Sequence, residues 1–215
     1  ITYGSSDESI LEINGTQRTQ HTLEDGLAWY WNFDNDTNAS TAVTALIGGL
    51  NGTKGNQVSV VGGKFGKALQ FSGSNTNSRV SFGTDSRKNF DGVFSVSLWI
   101  KRTSNSGTQY ILGNKSGSNN AGYYFRMSNN NNKRFTVKGT TQERNRDVVN
   151  AWNAQNWHHI VNVFNAQATQ TGERWRIYAD GVQKDQNNIP KIEDASANLR
   201  IGERSWGSGN RFKGL

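Results

Sequence analysis

The 215-residue sequence has no cysteine, one proline and no apolar run longer than a few residues. Without cysteine there is no disulfide framework, no thiolate metal site and no cysteine nucleophile, and both oxidising and reducing compartments stay open. A spanning helix needs roughly 20 apolar residues, so insertion into a membrane by a helix is excluded. There is no internal repeat and no useful helical period, and Ala, Leu and Glu are few. Phosphate-binding signatures are missing as well: no Gly-x-Gly-x-x-Gly or P-loop occurs, and the Gly-rich stretch 62–73 has no following helix to offer its dipole. The N-terminus, Ile1-Thr2-Tyr3-Gly4, carries neither a starting Met nor a signal-peptide pattern, which reads as a processed chain or a piece of a longer one.

What is present points to strands. Seven Trp, ten Phe and six Tyr argue against disorder, and aromatics combined with 24 Gly favour strands joined by turns. A chain of this length makes one domain, or at most two small ones, with a real core. Residues 1–25 are polar apart from Ile10, Leu11 and Ile13 and read as an N-terminal arm or linker. From Gly26 onward, apolar segments separated by Gly, Asn and Ser clusters predict strands. They fall at 27–33, 58–61, 68–71, 79–82, 94–101, 110–113, 123–128, 135–138, 158–164, 174–179 and 199–202. Asn129–Asn132 reads as a loop tip.

Alternation then assigns faces. Phe94, Val96, Leu98 and Ile100 share an apolar side, leaving Ser95, Ser97 and Trp99 outside. Phe135 and Val137 point inward between Arg134, Thr136 and Lys138; Trp175, Ile177 and Ala179 point inward between Arg174, Arg176 and Tyr178. One-sided strands of this kind belong to packed antiparallel sheets, an all-β sandwich.

Five segments and a closing one resemble a laminin-G-like domain of the concanavalin A-like lectin/glucanase superfamily. They are Gly26-Leu27-Ala28-Trp29-Tyr30-Trp31-Asn32-Phe33-Asp34, then Gly63–Gly73, Phe94–Lys101, Trp157-His158-His159-Ile160-Val161 and Ile177-Tyr178-Ala179-Asp180-Gly181-Val182, closed by Leu199-Arg200-Ile201-Gly202-Glu203. The resemblance implies a jelly-roll β-sandwich of two antiparallel sheets over residues 26–215. In such domains Phe-x-Gly, here Phe212-Lys213-Gly214, leads into a last strand with acidic residues; this chain stops at Leu215, so the expectation is either a fragment without that strand or a strand supplied by a neighbouring segment through β-augmentation. The resemblance also implies that calcium, a hard ion that takes six to eight oxygens, is held by loop carboxylates, and Asp34 and Asp36 after the first strand are the candidates.

Catalytic signals are weak. Retaining glycosidases place two carboxylates about 5 Å apart on one cleft, and no alternating Glu-x-Asp-x-Glu run exists here. Asp7-Glu8, Glu24-Asp25 and Glu193-Asp194 are adjacent pairs that diverge on a strand. The histidines are His21, His158 and His159; neighbours on a strand diverge, so the last two make a poor metal pair, and the resemblance makes them structural.

The net charge of +7 is uneven, −1 over residues 1–90 and +8 over 91–215. Outward positions in the basic half gather Tyr124, Arg126, Arg134, Lys138, Arg174, Arg176 and Tyr178 as the candidate ligand surface. Aromatic faces stack on sugar rings and Arg forks bind carboxylate, sulfate or phosphate, so an anionic glycan suits both. Nucleic acid is disfavoured, since no nucleic-acid motif occurs and the basic residues are interleaved with Asn and Ser. Five Asn-x-Ser/Thr sequons, at Asn14, Asn35, Asn38, Asn51 and Asn114, are about what the composition gives by chance. The expectation is a non-catalytic recognition or adhesion module for glycan on an extracellular, cell or virion surface. Two alternatives stand beside it: a structural or decoration protein that holds neighbouring subunits and no sugar, and a glycan-cleaving enzyme or a domain cut from one.

Overall fold

A computed structural model describes residues 25–74, 77–83, 93–104, 107–115, 122–127, 133–138, 143–148, 155–165, 167–169, 174–187, 195, 197–205 and 209–215, with backbone alone for 133–138, 143–148 and 187. The arm over 1–24, the Asn129–Asn132 tip, His21 and the pairs Asp7-Glu8 and Glu193-Asp194 lie outside the described residues, as does Glu24.

Fifteen strands and no helix occur among the described residues. They are β1 (Ala42–Val43), β2 (Gly52–Lys54), β3 (Val58–Gly62), β4 (Lys67–Ser72), β5 (Val80–Ser81), β6 (Val93–Lys101), β7 (Gln109–Gly113) and β8 (Gly122–Met127). Then come β9 (Lys133–Lys138), β10 (Glu143–Val148), β11 (Trp157–Asn165), β12 (Trp175–Ala179), β13 (Val182–Asn187), β14 (Arg200–Ile201) and β15 (Lys213–Gly214). One sheet runs β1-β2-β5-β14-β7-β8-β9-β10, a second β13-β12-β11-β6 and a third β15-β4-β3. All pairings between named strands are antiparallel.

The C-terminal residues join the second and third sheets. Lys213 and Gly214 pair with Ser72 and Phe71 of β4. On the other side, Lys101 at the end of β6 donates to the Leu215 carbonyl at 3.0 Å and accepts from the Leu215 N–H at 2.8 Å. The combined order is β13-β12-β11-β6-β15-β4-β3.

The two layers bury one core. Val43, Val80, Phe82, Ile111, Phe125 and Met127 face Leu69, Phe71, Ile100, Ile160, Phe164, Trp175 and Ile177. Rings knit it across strands: Phe94 stacks on Phe164 at 4.5 Å and tilts against Tyr123 at 5.5 Å, and Phe164 stacks on Trp175 at 5.6 Å. Side chains of this size each stabilise the fold by roughly 1.5–3 kcal/mol when fully buried. The all-β antiparallel sandwich matches the sequence expectation, and the alternation assigned to β6 and β12 holds residue by residue.

One expected strand is corrected. Residues 27–33 form no strand; Tyr30 makes a single bridge with Ile47, and Phe33, at φ 65°, turns the chain. Their alternation survives all the same. Trp31 and Phe33 pack against the core with Trp29, and the Trp31 indole donates to the Leu50 carbonyl at 2.9 Å.

Glu203 is the electrostatic centre of the eight-stranded layer. Its side chain is 1% exposed, with Arg79 at 3.1 Å, Arg211 at 2.7 Å and Arg200 at 3.8 Å. Burial, then the nearby Arg79 charge, lower the pKa of Arg200 against the opposing pull of Glu203. Removing one partner of a buried ion pair costs roughly 3–5 kcal/mol, because the remaining charge is stranded. Glu203→Gln is therefore expected to lower the unfolding free energy by about that amount in a denaturant titration. A variant as stable as the parent would show that the arginines need no buried carboxylate.

Candidate functional site: an aromatic and cationic sheet face

Two features of the chain converge on the outer side of β6 and β11. The first is alternation: with Leu98 and Ile100 turned to the core, Trp99 must face out, where it is 41% exposed. The second is the β3–β4 turn, closed by a hydrogen bond from Gly63 N–H to the Gly66 carbonyl at 2.9 Å, which lifts Lys64 and Phe65 off the sheet. Gly66 has φ 52°, and a Cβ there would overlap the Asp34 carboxylate. That carboxylate accepts from the Lys67 N–H at 2.8 Å and fixes the base of the turn.

Phe65, 69% exposed, meets Trp99 edge-on with centroids 5.5 Å apart. Trp99 in turn stacks on His159, its cross-strand partner, at 5.0 Å. The Lys64 ammonium stands 5.8 Å from the Phe65 ring and 5.5 Å from the Trp99 ring, within cation–π range of both. Ser97 lies one two-residue step along β6, with its hydroxyl 2.8 Å from His159 Nε2. Register continues the face across the sheet: Val161 pairs with Ser97 and Tyr178, and Val163 pairs with Ser95 and Arg176. Each step along a strand is about 7 Å, so Tyr178 and Arg176 extend the same outer face. Arg174 follows, its Nε donating to the Ala168 carbonyl at 3.0 Å.

The seven candidate ligand residues therefore divide between two sheets. Arg174, Arg176 and Tyr178 share the face of Trp99. Tyr124 and Arg126 sit on β8 in the other layer, on the far side of the core. Tyr124 is not a solvent-facing group: it is 5% exposed, packed on Tyr110 at 5.2 Å. Lys115 stands 5.6 Å from the Tyr124 ring, and Arg126 stands 5.9 Å from both tyrosine rings. Alternation finds the side of a strand but not whether that side is covered, which is why Tyr124 read as exposed. Arg134 and Lys138 pair in register with Arg126 and Gly122, and their side chains lie outside the description. Phe65 and Lys64 escaped the sequence reading because they belong to a turn with no period.

His158 and His159 do not form a triad with Asp180. Asp180 contacts His158, not the ring of His159: its Oδ2 is 2.7 Å from His158 Nδ1, and its Oδ1 accepts the His159 backbone N–H at 2.9 Å. Asp180 and Gly181, both at positive φ, make the two-residue turn between β12 and β13, the Asp-Gly pairing such hairpins favour. The cluster is a clamp between the turn and β11.

Asp34 and Asp36 flank Lys67. Asp34 accepts from Lys67 N–H and from Asn32 Nδ2 at 3.1 Å. Asp36 is buried; its Oδ1 accepts from Thr44 N–H at 3.0 Å, whereas Oδ2 is buried without a hydrogen-bond partner. That orphaned oxygen fits a cation. Among the described residues no three His, Cys, Asp or Glu side chains converge, so other ligands would be backbone carbonyls and water.

These features define an antiparallel two-layer β-sandwich with an exposed aromatic and cationic outer face. Residues 69–215 match the family model of laminin-G-like domains in the concanavalin A-like lectin/glucanases superfamily, and the chain belongs to that family. Among solved structures it is similar to domain 4 of AbnA, a GH43 extracellular arabinanase from Geobacillus stearothermophilus, in complex with arabinotriose, at 21% identity and TM-score 0.60, covering 87% of each chain. It is similar to the binding domain of Paraclostridial Mosquitocidal Protein 1, at 17% identity and TM-score 0.69, covering 90% of this chain and 49% of that one. It is also similar to the CBM40 of Ruminococcus gnavus IT-sialidase bound to alpha2,3 sialyllactose, at 14% identity and TM-score 0.51, covering 76% and 85%. No curated protein matches the chain. At these identities the structural likenesses establish the fold.

For Asp180, desolvation raises the pKa, but the hydrogen bonds from His158 and the His159 N–H, with the charges of both histidines, outweigh it and hold the carboxyl below its ordinary 3.8. A depressed pKa contributes stability that is present above the unfolded value and is lost as pH falls through the lower folded value. The stability gap between the parent and Asp180→Asn is thus expected to close as pH drops from 5 towards 2, about the range where the carboxyl protonates. A gap that is unchanged over that interval, followed by urea unfolding, would contradict the clamp.

Proposed function

We propose that the protein is a non-catalytic carbohydrate-recognition module that binds an anionic glycan on its β6–β11–β12 face and works outside the cell or on a surface. The observation that carries the reading is the Phe65–Trp99 pair, exposed on a sheet face with the Lys64 ammonium over both rings. A sugar ring offers an apolar C–H face to the aromatic rings, and its acidic substituent would meet Lys64, with Arg176 further along the face. Support comes from the solved relatives, one in complex with arabinotriose and one bound to alpha2,3 sialyllactose. The catalytic alternative has less to stand on: next to the face, Asp180 is committed to the His158 and His159 clamp.

Calcium is a subsidiary proposal. Asp36 Oδ2 would be its anchor, with Asp34 as a second carboxylate, and the ion would tie the loop after Phe33 to the base of the β3–β4 turn. Calcium added to chelator-treated protein is expected to raise the melting temperature, and Asp36→Asn to abolish the rise. An equal rise in the variant would place the ion elsewhere.

Purified protein on a glycan array should bind acidic glycans at low salt and lose signal as salt increases. Trp99→Ala and Phe65→Ala, both at exposed positions, should each weaken binding about tenfold or more while leaving the melting temperature nearly unchanged. A blank array, or full binding by both variants, would sink the reading.

A further inference from the structure

We infer that a second sugar subsite, suited to a neutral ring, lies where residues 30–35 meet residues 44–46. Trp29, Trp31 and Phe33 turn to the core, so Tyr30 and Asn32 take the outer side of the same extended segment. The Leu46 N–H donates to the Tyr30 carbonyl at 2.8 Å, and the Tyr30–Ile47 bridge holds the two segments together. Between them is a depression lined by Asn32, Asn35, Thr44, Ala45 and Leu46.

Its walls are fixed from behind. Asn32 Oδ1 accepts the Asp34 N–H at 3.2 Å and its Nδ2 donates to Asp34 Oδ2; the Thr44 and Ala45 N–H groups donate to Asp36 Oδ1 and Asn51 Oδ1 at 3.0 and 2.9 Å. In front, the Asn35 amide and the Thr44 hydroxyl make no hydrogen bond with another residue among those described, while Leu46 is 54% exposed. The apolar side chains of Ala45 and Leu46 beside one uncommitted amide and one uncommitted hydroxyl match a sugar, which presents a C–H face and a rim of hydroxyls. Among the described residues no Lys or Arg lines the depression, in contrast to the Lys64 face, which selects an uncharged ring.

The test is a titration of the 15N-labelled chain with arabinotriose and with lactose, reading the backbone amides of Thr44, Ala45 and Leu46 and, separately, the Trp99 indole. Arabinotriose or lactose at about 20 mM is expected to shift the three amides in the parent and equally in Phe65→Ala. In the Asn35→Ala/Thr44→Val double variant, both exposed positions whose change leaves the fold checkable by its own spectrum, affinity should fall about tenfold. Unmoved amides with both sugars, or equal affinity in the double variant, overturn the subsite. Because the Trp99 indole, titrated with sialyllactose, reports the anionic face and the Thr44, Ala45 and Leu46 amides, titrated with the neutral sugars, report this depression, failure of the anionic face and failure of this subsite are separate results.

Discussion

The nine-residue antiparallel register of β6 and β11, from Trp157 opposite Lys101 to Asn165 opposite Val93, sets both sides of this molecule at once. Inside, it brings Leu98, Ile100, Ile160 and Phe164 to the core; outside, it sets Trp99 beside His159 and Ser97 beside Val161. A slip of one residue would send Trp99 inward and Ile100 into water, and at roughly 2 kcal/mol for each large apolar group such a slip is strongly opposed. The hydrophobic core therefore guarantees the geometry of the outer face, although none of the outer residues contributes to that core.

Around this pair the chain uses acidic side chains as fasteners. Asp180 ties the β12–β13 turn to β11, Asp34 fixes the turn that carries Lys64 and Phe65, and Glu203 gathers three arginines under the other sheet. Each commits its carboxylate to named protein donors. The excess positive charge of the second half is thereby divided: part is drawn into Glu203, part rests on the Tyr110 and Tyr124 rings through Arg126 and Lys115, and Arg176 remains on the outer face beside Tyr178. A general basic character thus resolves into separate local roles.

Much of this was legible in the sequence. The strands β6 and β12 were found with the correct faces because their burial is one-sided, β11 was found as a strand, and Trp99 was placed outside by counting alone. The strands not expected were β1, β2, β10, β13 and β15, which are two or three residues long or, like Val182–Asn187 and Glu143–Val148, mostly polar. Polar edge strands are held by backbone pairing, which leaves no hydrophobic period to read. Which sheet each strand joins is a long-range choice, so Arg126 and Arg176 looked like neighbours and proved to lie on opposite sides of the core. Phe65 was hidden for the opposite reason: its exposure follows from a turn whose shape depends on Asp34, 31 positions earlier.

Family membership explains the scaffold, and the particular side chains on its outer face must explain any selectivity. The most direct measurement is a crystal structure of the protein with 3′-sialyllactose. The account predicts a sugar ring against Phe65 and Trp99 with its carboxylate next to Lys64; a sugar bound elsewhere, with those three side chains left in solvent, would contradict it.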